Sequence, residues 1–226
     1  MPGAEVQHAA PRALALFDLD GTLTRHDTLS AYAGGFLLRH PHRLARLLRV
    51  VPDCLRFVLG DVDQGALKSS FIGAALGGCS RTELDAGTAK FVARLVRGGL
   101  HSDGLAQLTR HREQGDLPVL LSASTDLYVP AIGRELGFAE VRCTELEWQE
   151  ERLLGRLRTA NCRGTEKARY LAELRQRYPG HRIVAYANAG SDLEHLRMAD
   201  EAVLVNGSHR VRRLATALGI ACRTWR

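Results

Sequence analysis

The sequence predicts an α/β protein with a doubly wound, Rossmann-like parallel sheet and a helical cap inserted after the first strand. Three observations support this prediction: short apolar runs of strand length recur along the chain, helical patterns separate them, and one long stretch shows helical patterns alone. Strands that alternate with helices form parallel sheets through right-handed crossovers. We therefore expect one core sheet with helices packed on it.

Four apolar runs are the predicted core strands, and each of them leads into polar residues. In parallel α/β sheets, ligands bind beyond the carboxyl ends of the strands, so polar side chains that converge there predict a functional site. The runs are Ala13–Phe17, Pro118–Leu121, Ile183–Tyr186 and Ala202–Val205. The polar residues at or just beyond their ends are Asp18, Ser122, Asn188 and Asn206.

Helical patterns fill the intervals between the later strands. Thr125 and Asp126 are good capping residues, and Gly137 ends the helical pattern that follows them. The stretch Leu146–Leu157 instead resembles a small antiparallel hairpin. The predicted helices are Leu127–Leu136, Thr165–Tyr178, Leu193–Ala199 and Val211–Leu218.

One stretch breaks the alternation of strands and helices. From about residue 28 to residue 104 the patterns are helical, for example over Leu44–Phe57 and Glu83–Val96. We therefore predict a core domain of residues 1–27 and 105–226 and a helical cap domain of residues 28–104 over the mouth of the site. The first residues, MPGAEVQHAAPRA, are expected to be a short flexible leader without the features of a secretory signal.

Within the predicted cap, the stretch Arg39–Arg56 is basic and amphipathic. If it is helical from about His42, its arginines and its apolar residues lie on opposite sides. We expect the basic side to be a solvated face, and a face that attracts anions or a membrane surface is the alternative. The two sides consist of Arg43, Arg46 and Arg49, and of Leu44, Leu47, Leu48 and Val51.

The composition narrows the class of protein. The 226 residues are 45% hydrophobic and 25% charged, as in ordinary globular proteins. The chain contains no run of about 18 apolar residues, so we expect no stable membrane insertion. Five scattered cysteines without a CxxC pair argue against a disulfide framework or a zinc site, so we expect a cytoplasmic protein. The net charge of +6 suits an anionic partner. Because no helix-turn-helix, zinc module or aromatic-rich basic groove is visible, we expect a phosphorylated small molecule and no nucleic acid.

The strongest functional signal is DLDGTLT, residues 18–24, directly after the first predicted strand. Asp18 and Asp20 can converge where the chain leaves the sheet, and Gly21 permits a sharp departure. One carboxylate can attack phosphorus, while the other can protonate the leaving oxygen and then activate water. A capped turn is the alternative explanation for two aspartates so close together. The preceding apolar run and the GTLT sequence favour the catalytic interpretation.

FDLDGTLT resembles the first motif of phosphatases of the haloacid dehalogenase superfamily, and three further motifs follow in that family's order. The resemblance extends from Leu14 to Val205, and the position of the insertion is similar to that in the phosphoserine phosphatase-like branch, subclass IB. It implies that Asp18 is the nucleophile and Asp20 the general acid and base. It also implies a bound Mg²⁺, with the main-chain carbonyl of Asp20 among its ligands.

The second and third motifs supply the remaining catalytic and substrate-binding assignments. Ser122, in LLSAST, matches the second motif, and Ser122 and Ala123 are assigned to bind the phosphoryl group; Ser124 is a weaker candidate. Lys167, in NCRGTEK, matches the third motif, and its ammonium would offset negative charge on the nucleophile and the phosphoryl group. Lys167 is also one of only three lysines in the chain. Arg25 is assigned to the substrate from its position after the first motif, and Asp27 is a further candidate for substrate contact at the same hinge.

The fourth motif departs from the family pattern. Residues 186–192 read YANAGSD, so Asp192 fits the second acidic position while Asn188 stands where a metal-binding aspartate is expected. An amide oxygen is an acceptable but neutral ligand for Mg²⁺. We therefore assign Asp18, Asp20, Asn188 and Asp192 to the metal and expect its affinity to be weakened.

These motifs favour a Mg²⁺-dependent phosphatase that hydrolyses a small phosphorylated metabolite, such as phosphoserine or histidinol phosphate, through an aspartyl-phosphate. The alternative is a catalytically weakened or non-catalytic phosphoryl-binding protein on the same fold, because Asn188 replaces an acidic ligand. A nucleic-acid binder is a third hypothesis, which the positive charge alone supports. The sequence does not predict the oligomeric state.

Overall fold

A parallel sheet of six strands forms the centre of the structure, a computed structural model that describes residues 13–226. The predicted leader lies outside the described residues, apart from Ala13, which begins the first strand. Two further strands form a separate antiparallel hairpin. In chain order the strands are β1 (Ala13–Phe17), β2 (Leu117–Thr125), β3 (Glu140–Thr144), β4 (Leu146–Gln149), β5 (Arg152–Leu157), β6 (Arg182–Ala187), β7 (Glu201–Val205) and β8 (Ala221–Arg223).

The order of the strands places the end of β1 at a reversal of the topology. The order is β3-β2-β1-β6-β7-β8, and all neighbours are parallel. Phe17, the last residue of β1, lies opposite Leu120 of β2 and Tyr186 of β6. The chain continues from β1 on one side to β2 and returns on the other side to β6. In doubly wound sheets such a reversal opens a crevice beyond the carboxyl ends of the strands, here directly after Phe17.

Helices cover both faces of this sheet, which confirms the predicted fold class. Alternate side chains of β1 enter different cores: Ala15 and Phe17 pack in one, and Leu14 and Leu16 in the other. The helices are α1 (Thr28–Arg39), α2 (Val51–Leu59), α3 (Gln64–Leu76), α4 (Arg81–Gly98), α5 (Ser102–Glu113), α6 (Val129–Leu136), α7 (Thr165–Arg177), α8 (Leu193–Met198) and α9 (His209–Ala217), with 3₁₀ helices at Pro41–Val50 and Gly190–Asp192.

The four predicted core strands, the hairpin and the four predicted helices after β2 are all present. The sequence analysis did not predict β3, β8 and α5. β3 and β8 are the two edge strands of the sheet, and charged residues interrupt their apolar positions. The buried positions of α5 are Gly104, Leu108 and His111, so its inner face has too few apolar residues to show a clear helical period.

The insertion between β1 and β2 is helical as expected, and its two ends are paired with each other. The backbone N–H of Arg25 donates to the carbonyl of Gly99 at 3.0 Å, and that of His101 donates to the carbonyl of Leu23 at 2.8 Å. We call these paired segments, residues 23–25 and 99–101, the neck. The predicted boundary at residue 104 falls beyond the neck and within α5. The division into a cap and a core domain remains a prediction.

The hairpin of β4 and β5 packs against the insertion through two glycines. Gly155 adopts a φ of +80°, and a Cβ atom at this position would lie 2.3 Å from the Cα atom of Gly73 in α3. Hydrogen bonds extend the contact, because the N–H of Gly78 donates to Leu153 at 2.8 Å and the N–H of Leu153 donates to Cys79 at 3.0 Å. The hairpin thereby fixes α3 from the outside.

The basic stretch of the insertion differs in part from the expected orientation: Leu47 packs against the core and Arg49 is exposed, as expected, but other residues are reversed. Arg43 and Arg46 turn inward, and each donates to the carbonyl of Gly77, at 3.1 and 3.2 Å. Leu44 and Leu48 are instead exposed, at 49% and 73%. The carbonyls at the end of α3 lack helical partners, and the two guanidinium groups satisfy them. The expected continuous helix is also wrong, since a 3₁₀ helix precedes α2.

Gly155→Ala should lower the free energy of unfolding by about 4 kcal/mol, because it adds left-handed backbone strain to a collision with the α3 backbone. Gly60→Ala is the matched control, since Gly60 has a φ of +83° but no heavy atom within 4 Å of the added methyl. It should cost only about 1 kcal/mol. Urea unfolding would measure both, and equal losses would show that the contact between α3 and the hairpin contributes nothing.

Candidate active site

The chain makes a tight turn immediately after β1, which brings two aspartates to the crevice. The backbone N–H of Asp18 still donates to Tyr186 of β6 at 2.9 Å, so Asp18 is fixed by the sheet. Gly21 then adopts a φ of +75°, and a Cβ atom there would lie 2.0 Å from Nδ2 of Asn188. Glycine suits this position because side chains rarely adopt this backbone conformation, and an added methyl would also displace the side chain of Asn188.

A buried lysine joins the first and fourth motifs. Nζ of Lys167 donates to Oδ1 of Asp18 at 2.6 Å and lies 3.0 Å from Oδ1 of Asp192. The other oxygen of Asp18 accepts from the hydroxyl of Thr22 at 3.0 Å. Lys167 is only 2% exposed, and both aspartates are also buried. One ammonium thus compensates two carboxylates that approach each other from β1 and from the turn after β6.

Burial and neighbouring charges shift the pKa values of the residues around Lys167. Burial raises the pKa of Asp18 to about 7, with Lys167 opposing the shift and Asp192 adding to it. Burial also opposes the charged form of Lys167, but the two carboxylates raise its pKa above the ordinary value. Burial lowers the pKa of the adjacent His195 to about 4, so this imidazole is neutral near pH 7. Shifts of this kind concentrate at functional sites.

Asp20 has a different environment, which favours its protonated form. Its Oδ1 accepts from the backbone N–H of Thr28 at 2.6 Å, and its Oδ2 accepts from the hydroxyl of Ser124 at 2.6 Å. Burial nevertheless raises the pKa of Asp20, because these hydrogen bonds only partly offset the cost of removing the carboxylate from water. The two aspartates therefore differ: Asp18 faces a cation, whereas Asp20 faces an amide and a hydroxyl.

A cavity of about 150 Å³ lies in front of these residues. Of the residues assigned from the sequence, most line it together; they are Asp18, Asp20, Ala123, Lys167, Asn188 and Asp192. Ser122 does not line it: this residue has no exposed surface, and its Oγ accepts from the backbone N–H of Ser124 at 3.0 Å. Ser124 is the cavity-facing hydroxyl of this strand end. Arg25 is exposed and lies outside the lining, so its assignment also remains a prediction.

The insertion supplies lining residues that the motifs did not identify. Lys68 of α3 donates to the carbonyl of Ala123 at 2.7 Å and to Oδ1 of Asn161 at 2.5 Å. Burial lowers the pKa of Lys68 to about 8. Asp27, which the sequence analysis named at the hinge, also lines the cavity, as do Gln64 of α3 and Arg163 of the segment before α7. The scarcity of lysine, which favoured Lys167, applied equally to Lys68, but no family motif directed attention to it.

The donors around the cavity suit a hard cation better than a soft one. Asp18 and Asp192 offer carboxylate oxygens and Asn188 an amide oxygen. Within residues 13–226, no group of three or more His, Cys, Asp or Glu side chains forms a candidate metal cluster. The donor set fits a divalent cation with oxygen ligands and lower negative charge than three aspartates would provide.

Comparisons with known proteins identify relatives of this fold. A family model described as haloacid dehalogenase-like hydrolase matches residues 15–197. Protein CicA of Caulobacter vibrioides is 31% identical over 194 residues, which are 83% of this chain and 83% of that protein. A protein of unknown function from Bordetella pertussis has a TM-score of 0.75 at 24% identity, over 94% of this chain and 98% of that one. A phosphoserine phosphatase, solved as a phospho-aspartyl intermediate analogue, has a TM-score of 0.67 at 15% identity, over 94% and 93%. Both structures share the fold.

Within the described residues, no helix is long and apolar enough to cross a membrane.

Lys167→Met should lower the free energy of unfolding by about 3 kcal/mol, because two buried carboxylates would lose their shared cation. Lys90→Met, at an exposed position of α4, should change it by less than about 0.5 kcal/mol. Adding Asp192→Asn to Lys167→Met should restore part of the loss. Urea unfolding in EDTA would measure these variants without metal. If Lys167→Met were as stable as Lys90→Met, the lysine would not compensate the pair.

Proposed function

The chain belongs to the haloacid dehalogenase-like hydrolases, and from this premise we propose that it hydrolyses a small phosphomonoester through an aspartyl-phosphate on Asp18. One observation carries the proposal: the buried carboxylate of Asp18 lines the cavity and is paired with Lys167 at 2.6 Å. A carboxylate held in a fixed position beside an ammonium group is a competent nucleophile for phosphorus.

Asp18 and Asp20 have different roles in the proposed reaction. An oxygen of Asp18 attacks the phosphorus atom, and the bond from phosphorus to the leaving alcohol oxygen breaks. Protonated Asp20 gives its proton to that oxygen, and its carboxylate then takes a proton from the water that attacks the acyl phosphate. Release of inorganic phosphate regenerates Asp18. The raised pKa of Asp20 supports its role as the acid in the first step.

Three features of the cavity support transfer of a phosphoryl group. The ammonium of Lys167 offsets negative charge on Asp18 and on the phosphoryl oxygens. The backbone of Ala123 and the hydroxyl of Ser124 stand beside the cavity, where they can bind a phosphoryl oxygen. Ser122, the residue of the second motif, supports Ser124 through its hydrogen bond and remains the family-based candidate for this role.

Mg²⁺ is the proposed cofactor. Asp18, Asp192, Asn188 and the main-chain carbonyl of Asp20 would hold it, and a bound Mg²⁺ would reduce the charge repulsion between the nucleophile and the phosphoryl oxygens. Asn188 is neutral, so this site would bind the cation more weakly than one with a third carboxylate.

Charged residues of the insertion and of the segment before α7 support a substrate similar to phosphoserine. Lys68 and Arg163 offer positive charge to a carboxylate, and Asp27 offers negative charge to an ammonium. Phosphoserine carries both groups, whereas histidinol phosphate lacks the carboxylate. A cavity of about 150 Å³ also favours a small metabolite.

Asn188 also supports a second candidate function, a non-catalytic protein that binds a phosphorylated ligand on the same fold. In that case the ion pairs of Lys167 with Asp18 and Asp192 would position the ligand. The weakened metal site would leave its phosphate ester unhydrolysed. The two candidates differ in turnover, and the following experiments separate them.

Asp18→Asn should reduce hydrolysis of an aryl phosphate with Mg²⁺ by at least about a thousandfold, because the amide is a poor nucleophile. Asp61→Asn is the matched control at an exposed position, and it should retain wild-type turnover. Steady-state assays would compare them, followed by a panel of phosphorylated metabolites that includes phosphoserine and histidinol phosphate. Unchanged turnover in Asp18→Asn would refute the covalent route.

Asn188→Asp should tighten Mg²⁺ binding by about tenfold or more, because it adds a negative charge to the proposed ligands. Isothermal titration with Mg²⁺ would measure affinity, and the aryl phosphate assay would measure turnover. Asn206→Asp, outside the cavity lining, is the matched control and should leave the affinity unchanged. A wild type that is inert on the whole panel, with no gain of metal binding or turnover in Asn188→Asp, would favour the non-catalytic candidate.

A further inference from the structure

Helix α2 is apolar, yet none of its side chains is buried. Leu55, Val58 and Leu59 are 62%, 81% and 75% exposed, although each side chain would favour burial. Val51, Leu55 and Val58 are spaced at i, i+4 and i+7 and therefore share one face of the helix. Continuous exposed apolar surface of this kind marks an interaction site.

The 3₁₀ helix before α2 continues the same exposed surface, since Leu44 and Leu48 also face solvent. We call the exposed side chains of Leu44, Leu48, Val51, Leu55, Val58 and Leu59 the apolar patch. The inward hydrogen bonds of Arg43 and Arg46 to the end of α3 hold the patch outward. Its exposure is therefore built into the packing of the insertion and does not arise from an unattached segment.

The chain segment that carries the patch also carries exposed arginines, and Arg39 lies just before it. Arg39 and Arg49 are exposed and form no ion pair within residues 13–226, while Arg56 pairs with Asp53 at 3.5 Å on the exposed surface. A pair this exposed is readily exchanged for another anion. Leucine and valine side chains beside arginines are the composition of helices that lie in the headgroup region of a membrane.

We propose that the apolar patch and its arginines dock this protein on the surface of a membrane that contains anionic phospholipid. The apolar side chains would enter the boundary between headgroups and acyl chains, and Arg39, Arg49 and Arg56 would contact lipid phosphates. A second copy of the chain is a poorer occupant, because two such faces would bring the same arginines together. Such peripheral binding to a membrane surface requires no helix that spans the membrane. It is also independent of any catalytic activity.

The apolar patch is close in sequence to the residues of α3 that line the cavity. α3 begins at Gln64, a few residues after α2 ends, and Gln64 and Lys68 of α3 line the cavity. A membrane-bound α2 would therefore hold the cavity close to the lipid surface.

Sedimentation with vesicles tests the proposal on the full chain. The protein should bind vesicles of equal parts phosphatidylglycerol and phosphatidylcholine at about 50 mM salt, and bind pure phosphatidylcholine at least about tenfold more weakly. Leu55→Glu and Val58→Glu should each weaken binding to the anionic vesicles by at least about tenfold, because they place a negative charge in the patch. Leu214→Glu, at a position of α9 that is 49% exposed, is the matched control and should bind like wild type.

Cys54 locates the contact, because it is exposed on α2 and lies three residues after Val51 and four before Val58. A polarity-sensitive fluorophore on Cys54, with Cys222→Ser, should shift to the blue on anionic vesicles. The same fluorophore on Cys222, with Cys54→Ser, should not. Three results would overturn the proposal: no binding to anionic vesicles, equal binding by Val58→Glu and Leu214→Glu, or a lipid-independent dimer that Val58→Glu dissociates in sedimentation velocity.

Discussion

The ammonium of Lys167 is the interaction on which the proposed site depends. Asp18 ends the central strand and Asp192 follows β6, and without a cation between them two buried carboxylates would repel each other and lose hydration. Lys167 lies in the first turn of α7, which packs its Leu171 and Leu174 under the sheet. The apolar core therefore sets the position of the charge, and the charge in turn permits the two acidic turns to approach.

The topology explains why these particular turns meet. β1 has β2 on one side and β6 on the other, so the turns at its end and at the ends of both neighbours face one crevice. The turn after β1 must also be narrow, because Asn188 lies against Gly21. The strand order and the narrow turn are requirements of the fold and not of the reaction. Both limit which side chains fit at the motif positions.

The core of the site could be predicted from sequence because strand ends and motifs are local signals. Apolar runs located β1, β2, β6 and β7, the polar residues beyond them included Asp18 and Asp192, and the third motif of the family pointed to Lys167. The contribution of the insertion could not be predicted in this way. Lys68 reaches the cavity because α3 folds back over β2, and no local pattern encodes that contact. The same limit applies to the stretch after α1: periodicity placed its arginines and its leucines on opposite sides, but it could not show that Arg43 and Arg46 face inward beside Leu47. That depends on the unsatisfied carbonyls at the end of α3, which lie more than 25 residues later.

The contact between Gly73 and Gly155 has a mechanical consequence. The insertion is connected to the sheet by the two segments of the neck, and the hairpin by the segments that follow β3 and precede α7. Since the backbones of α3 and β5 touch without intervening side chains, the insertion and the hairpin form one packed unit. A rotation that keeps this contact must bend four chain connections instead of two. A rotation of the insertion alone, which bends only two connections, would first have to separate these two backbones.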